Sequence, residues 1–323
     1  MSDQQTAHLT CSEASVKGYV QDQTSFPLVF GFGPCQLARL DLALKVIDFG
    51  RIAISGEGFD AKLLPSDQPL FLRSAPDRLA FETSGIASSM LFYPFYSYPR
   101  SWVETEGGFE DYLQGFSRIS RKGLKRRTKK LTGLSKGSLD IRRYDQADGM
   151  AIFQKDARSV SAKTFQEMLV NEGLPADQSF LHRMHQLALL EQCYGSILYL
   201  DDQPISYFYC EQQGSGWLAT YGGFDPAYAR LSPGTVHLLR ILEDCFNDQQ
   251  CALFDLGPGA SGYKQFFSTH DVPCTDILIL NKTVKNHLLV AAHRTLAALT
   301  EKCRALVETL KLRERLRQKL RGR

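Results

Sequence analysis

YGGFDPAYARLSPG, residues 221–234, closes a strand and opens a helix within one short stretch. The apolar run Trp217–Phe224 has strand composition, and Asp225-Pro226 stops it because proline cannot continue a hydrogen-bonded ladder. Ser232-Pro233-Gly234 then has the chemistry of a helix start. A serine oxygen accepts an otherwise orphan N–H, proline loses nothing at the first helical position, and Gly234 lets another molecule approach the main chain. The spacing predicts a helix over Thr235–Phe246, whose free amides suit a phosphate. A plainly capped helix is the other reading of the same residues.

Working outward, Tyr194–Leu200 and Ile205–Glu211 read as strands, with turns at Asp201-Asp202-Gln203 and Gln212–Gly216. Together with Trp217–Phe224 they predict an antiparallel meander. Two short helices are expected over 145–155 and 161–172, and an amphipathic one over 180–193, before it. A short buried strand, Cys251–Leu256, a helical YKQFF and a last strand, Val272–Leu280, are expected after it. The order predicts a mixed α/β layer with a sheet flanked by helices. From about Thr283 to Leu320 one long helix is expected, with Ala292, Leu296, Leu299, Cys303, Leu306 and Leu310 forming a heptad-like seam.

In the first half, 27–64 reads as short strands and turns, and the proline-interrupted 90–99 as at best an edge strand or an extended loop. Residues 109–132 read as helical, with Gly123 dividing them.

A second signal is FDLGPGASGYK, residues 254–264. Asp255 stands in an apolar strand, where a carboxylate is either paired or functional. Tyr263 can carry a proton and Lys264 an anionic group; packed core is the competing reading. Tyr207, Tyr209, Trp217 and Tyr221 either line an acceptor groove, since sugars stack on aromatic faces, or are core. His182 and His185 lack carboxylate or cysteine company for a metal, so none is assigned, and His237 reads as solvated or near the phosphate loop.

The combination KTFQ (163–166), ILYLDDQPISYFY (197–209), YGGFDPAYARLSPG and FDLGPGASGYK resembles the CelD/BcsL-type acetyltransferases of the GNAT superfamily, associated with cellulose and exopolysaccharide production. The resemblance implies a tandem GNAT-like fold with acyl-CoA lying between two splayed strands, Trp217–Phe224 and Cys251–Leu256. It implies diphosphate contacts at Arg230, Leu231, Ser232, Gly234 and Thr235, a further cofactor contact at Tyr221, and substrate or phosphate binding at Lys264. Asp255 becomes the general base and Tyr263 the acid, with Lys163, Gln166, Tyr207 and Trp217 on the acceptor side. The implied domains are a loose lead-in over 1–25, a degenerate GNAT-like lobe with a basic helix over 26–140, an acyltransferase lobe over 141–282 and a basic amphipathic helix over 283–323. Two rivals stand beside an acetyl-CoA-dependent transferase: a Fem-like aminoacyl or peptidyl transferase using charged tRNA, and a non-catalytic scaffold in polysaccharide synthesis.

Composition sets the outer limits. The 323 residues suffice for two domains without a disulfide or metal staple. No run of 18 apolar residues occurs, the N-terminus does not read as a secretion signal, and the eight cysteines include no CxxC pair, so a cytoplasmic protein with reduced thiols is expected. The net charge of +3 conceals segregation: residues 118–130 hold eight Lys or Arg and no acid, 301–323 carry a net +6, and the remainder carries −11. Neither basic block has aromatic residues for stacking bases, which weighs against nucleic acid. Oligomer or partner contact is expected through the C-terminal helix.

Overall fold

The computed structural model describes residues 20–21, 25–32, 35–55, 64, 68–77, 90–135, 137–164 and 173–321. In chain order come strands β1 (Val20–Gln21), β2 (Ser25–Phe32), β3 (Cys35–Ala43) and β4 (Lys45–Asp48), helix α1 (Gly50–Ser55), then β5 (Leu70–Pro76) and β6 (Met90–Glu104). Helices α2 (Phe109–Gln114) and α3 (Arg118–Leu134), strand β7 (Asp140–Tyr144), and helices α4 (Met150–Ser161) and α5 (Gln178–Leu189) follow. The meander is β8 (Cys193–Leu200), β9 (Gln203–Gln213) and β10 (Gly216–Phe224). Helix α6 (Pro233–Asn247), β11 (Leu253–Pro258), α7 (Gly262–Phe267), β12 (His270–Asn281) and α8 (Val284–Arg321) complete the chain.

Two units emerge, Met1–Tyr98 with Val272–Arg323, and Pro99–Asp271. They differ from the boundaries expected at 140 and 282. Val272–Asn281 belongs to the first unit because β12 pairs antiparallel with β5, and strand pairing is indifferent to sequence distance. In that unit β4 also pairs parallel with β5, and β2–β3 form a separate hairpin. Helix α8 lies on β2, with Thr300 donating to the Gly31 carbonyl and the His293 ring edge-on to Phe30. The packed side is Val290, His293, Leu296 and Thr300; of the expected seam Leu296 and Cys303 are half-buried, while Ala292, Leu299 and Leu306 are exposed.

Three local expectations are corrected. RIAIS is helical in α1, because the Asp48 carboxylate caps the turn by accepting the Gly50 N–H at 2.8 Å. Residues 90–99 belong to the 15-residue β6, which continues past both prolines to Glu104. The helical stretch divides at Gly115–Ser117 instead of Gly123, with Ser117 Oγ capping α3 through the Ser120 N–H.

In the second unit the strand order is β6-β11-β10-β9-β8-β7. Side chains of β8 alternate between faces: Tyr194, Leu198 and Leu200 pack toward α3 and α6, while Cys193, Ile197 and Tyr199 pack toward α4 and α5. Both faces being covered, every residue of β8 is buried. Helix α6 buries Val236, Leu238, Ile241 and Leu242, each contributing about 1.5–3 kcal/mol, and this seats its N-terminus beside the end of β10.

Candidate active site

Parallel pairing of β10 with β11 runs through Gly216–Leu253, Trp217–Phe254 and Leu218–Asp255 and then stops. Pairing of β10 with β9 continues to Phe224–Ser206 on the other side, interrupted by a bulge at Thr220. A bulge sharpens strand twist, and Gly257, at φ 79°, turns β11 away. The two strands therefore part, and a cavity of about 280 Å³ opens beside the far end of β10. Gly222, Gly223 and Phe224 of β10 form one wall, Gly234, Thr235 and Leu238 of α6 another, and Ser261, Tyr263 and Phe267 a third. Glycine is required in the first wall: a Cβ on Gly222 would stand 2.8 Å from the Phe208 ring, and one on Gly223 2.8 Å from Thr164.

At its helix end the cavity meets main-chain amides. Asp225 accepts the Ala227 N–H at 3.0 Å and caps a 3₁₀ turn, Pro226–Leu231. Burial would raise the Asp225 pKa, but Lys163, 2.7 Å away, and the Ala227 N–H outweigh it and hold the carboxyl below its ordinary value. Ser232 is left-handed, at φ 54°, ψ 49°, and its N–H is spent on the Ala229 carbonyl. Its hydroxyl makes no capping bond, contrary to expectation. The first intrahelical donor is Val236, so the Gly234 and Thr235 amides remain unspent by the helix, and both residues line the cavity.

A family model described as "Acetyltransferase (GNAT) domain" matches residues 118–265, the stretch that builds this opening. Over residues 118–265 the chain is similar to a GNAT acetyltransferase domain. GNAT domains use acyl-CoA as co-substrate. No curated protein shows significant sequence similarity to the chain. Among solved structures, FemX is similar over 87% of this chain and 92% of its own, at 9% identity and TM-score 0.49. The C-terminal domain of a putative lysylphosphatidylglycerol synthetase from Agrobacterium fabrum is similar over 86% of both chains, at 9% identity and TM-score 0.47. A Bacteroides thetaiotaomicron protein of unknown function is similar over 84% of this chain and 88% of its own, at 10% identity and TM-score 0.47.

Within this stretch the expected site residues separate into two groups. Gly234, Thr235 and Tyr263 line the cavity. Although 43% of Tyr263 is exposed, its hydroxyl end is surrounded by protein; burial pushes its pKa up to about 12, against an opposing pull from the Ser261 hydroxyl. Arg230 is exposed on the 3₁₀ turn, while Leu231 packs with Leu131 and Val236.

The others lie elsewhere. Asp255 is wholly buried, with one oxygen taking Nε and Nη2 of Arg100 at 2.9 and 2.6 Å and the other accepting the Gly257 N–H at 2.8 Å. A general base must reach the proton it removes, and this carboxylate does not border the cavity. Lys264 is also buried, and its ammonium donates to the Gly257 and Pro258 carbonyls at 3.1 and 2.5 Å, shaping the turn instead of holding phosphate. Burial pulls its pKa down to about 8, with Asp255 opposing.

Tyr207 and Tyr221 point to the α4–α5 core, where Tyr221 meets Phe180 edge-on. Trp217 packs edge-on against Tyr194 on the opposite face. None of these three rings lines the cavity, because strand alternation turns them into core. Lys163 is tied to Asp225, and Gln166 falls outside the described residues.

Sequence reasoning missed Thr164, Phe208, Phe224, Asp225 and Ser261. Only Asp225-Pro226 carried a readable signal, an acid preceding proline at a turn start. Among the described residues no group of His, Cys, Asp or Glu is arranged to hold a metal.

His237 is neither solvated nor at the cavity. It is fully buried, with Nε2 2.8 Å from Ser196 Oγ and Nδ1 3.1 Å from Ser206 Oγ. Ser206 donates onward to the Gly223 carbonyl, so Ser206 accepts from Nδ1–H and Ser196 donates to Nε2. Burial pulls the imidazole pKa down to about 3. The unfolded imidazole takes a proton below about pH 6.5 that the folded site refuses. Stability is thus undiminished above pH 6.5 and falls by about 1.4 kcal/mol per pH unit toward pH 3. Denaturant titrations at pH 7 and 5 should show His237→Gln lacking that increment of acid sensitivity.

Proposed function

We propose that the chain transfers an acyl group from acyl-CoA, acetyl-CoA foremost, to an amine on a small-molecule or saccharide acceptor. The observation that carries this reading is the gap between β10 and β11 beyond Leu218–Asp255, closed at one end by the Gly234 and Thr235 amides. Those amides, the positive end of α6 and the exposed Arg230 suit a diphosphate. The apolar walls between Phe208, Leu238 and Phe267 suit the pantetheine arm. Main-chain N–H groups of β10 freed from β11 are placed to stabilise the oxyanion as the thioester carbonyl is attacked.

The acceptor nitrogen bonds to the thioester carbon and the C–S bond breaks. Tyr263 gives a proton to the leaving thiolate and is reprotonated from water, which takes the proton lost by the nitrogen. No carboxylate or imidazole lines the cavity among the described residues. A neutral amine needs no base before it attacks, whereas a hydroxyl does, and this favours N-acylation over O-acylation.

Two finer readings remain attached to this one. The CelD/BcsL-type resemblance points to an amino sugar of exopolysaccharide synthesis as acceptor, in the cytoplasm. Aminoacyl transfer from charged tRNA draws on the basic α3, whose Lys130 Nζ lies 3.5 Å from the Arg230 carbonyl.

Thermal unfolding with acetyl-CoA, longer acyl-CoAs and free CoA tests the donor. At a hundred times its Kd a ligand adds about 2.7 kcal/mol, a rise of roughly 5 °C or more for a unit of this size. CoA release with amino sugars and simple amines then tests the acceptor. No shift with any CoA species, together with aminoacyl transfer from charged tRNA, would replace this reading with the Fem-like one.

A further inference from the structure

Helix α3 carries a surface that the transfer site does not use. Leu124 and Leu131 are buried on its inner side. At about 100° per residue, Arg118, Lys122, Arg126 and Lys129 fall within about 80° of one another on the opposite side. All four are exposed. Ile119 lies at nearly the same angle as Arg126, two turns before it, and is 84% exposed, and Leu134 at the end of the helix is 51% exposed. Residues 118–130 contain eight cations and no acid, and no ion pair among the described residues engages any of them.

We propose that this outer face of α3 docks the protein on an anionic phospholipid surface. The inference does not depend on the acyl-transfer reading, because Arg118, Ile119, Lys122 and Arg126 do not line the cavity. Charge complementarity supplies the attraction: each lysine or arginine near an anionic leaflet strengthens binding by about fivefold. The aliphatic side chain identifies the occupant. Ile119, standing among cations, leaves water on entering the headgroup region. A nucleic-acid backbone would meet the same cations but leave Ile119 hydrated, and α3 offers no aromatic ring to bases. No helix among the described residues is long and apolar enough to cross a membrane, so the contact is peripheral.

Co-sedimentation of the full chain with phosphatidylcholine vesicles, and with equal mixtures of phosphatidylcholine and phosphatidylglycerol, tests the proposal. Binding is expected only to the anionic vesicles and should be lost near 1 M salt, where the Debye length is about 3 Å. Lys122→Ala/Arg126→Ala should weaken it about thirtyfold with an unchanged Tm, and Ile119→Ser should weaken it further without altering the salt dependence. Equal binding to both vesicle types, binding to neither, or undiminished binding by the double variant overturns the proposal. Binding of tRNA that the double variant loses, without vesicle binding, also overturns it and assigns the face to nucleic acid.

Discussion

Tyr263→Phe is expected to lower the rate of CoA release by roughly a hundredfold to a thousandfold while leaving KM for acyl-CoA within about twofold. The ring lies in the cavity wall with its hydroxyl pKa pushed up to about 12, so the proposed acid is in its protonated form throughout the neutral range. The sign of the shift matters. A raised pKa keeps the acid loaded, and the deficit of the variant should be equal at pH 7 and pH 9, where wild-type Tyr263 does not titrate. Phenylalanine preserves the apolar wall and removes only the proton donor, so a large rise in KM would indicate distortion of the cavity instead. Steady-state thiol release against acyl-CoA concentration at both pH values decides this. Wild-type turnover by the variant would remove Tyr263 from the chemistry.

The second large effect concerns stability. Asp255→Asn should destabilise the protein by about 3–5 kcal/mol, because Arg100, 1% exposed, is left as an uncompensated buried charge. Arg100→Met/Asp255→Leu should recover about half of that loss, since two apolar residues replace two charges that both required desolvation. About 1–3 kcal/mol remains lost for the Gly257 N–H, which no longer has the Asp255 oxygen. Denaturant unfolding measures both variants, and CoA release per folded molecule separates structure from catalysis. A general base would give the opposite pattern, with unchanged stability and turnover down by two to four orders of magnitude. That outcome would return Asp255 to the mechanism.

Asp255 also shows how far sequence can be read. An acid inside FDLGP announces that something pairs with it, but the partner is Arg100, 155 positions earlier on β6. The same limit applied to the aromatic residues. Tyr207, Tyr221 and Trp217 were legible as strand residues, but whether an alternating position faces core or cavity depends on which helices cover each side. His237 looked like a solvent-facing or ligand-facing residue because its two serine partners lie on β8 and β9. Helix α3 was legible as helical, yet its start was set by Ser117 and not by Gly123, which has open space around it.

Sequence by itself determined the meander, the helix start at Ser232-Pro233-Gly234, and the strand–turn–helix that presents Tyr263. Each of these is specified locally, by hydrophobic periodicity, turn residues and the missing N–H of proline. Tertiary structure alone decided that β10 and β11 part after Leu218–Asp255, that Asp255 is an ion-pair partner, and that Val272–Asn281 belongs with the first unit. Those outcomes depend on pairings between residues far apart in the chain, and neither periodicity nor spacing reports which distant charge or strand edge a residue will meet.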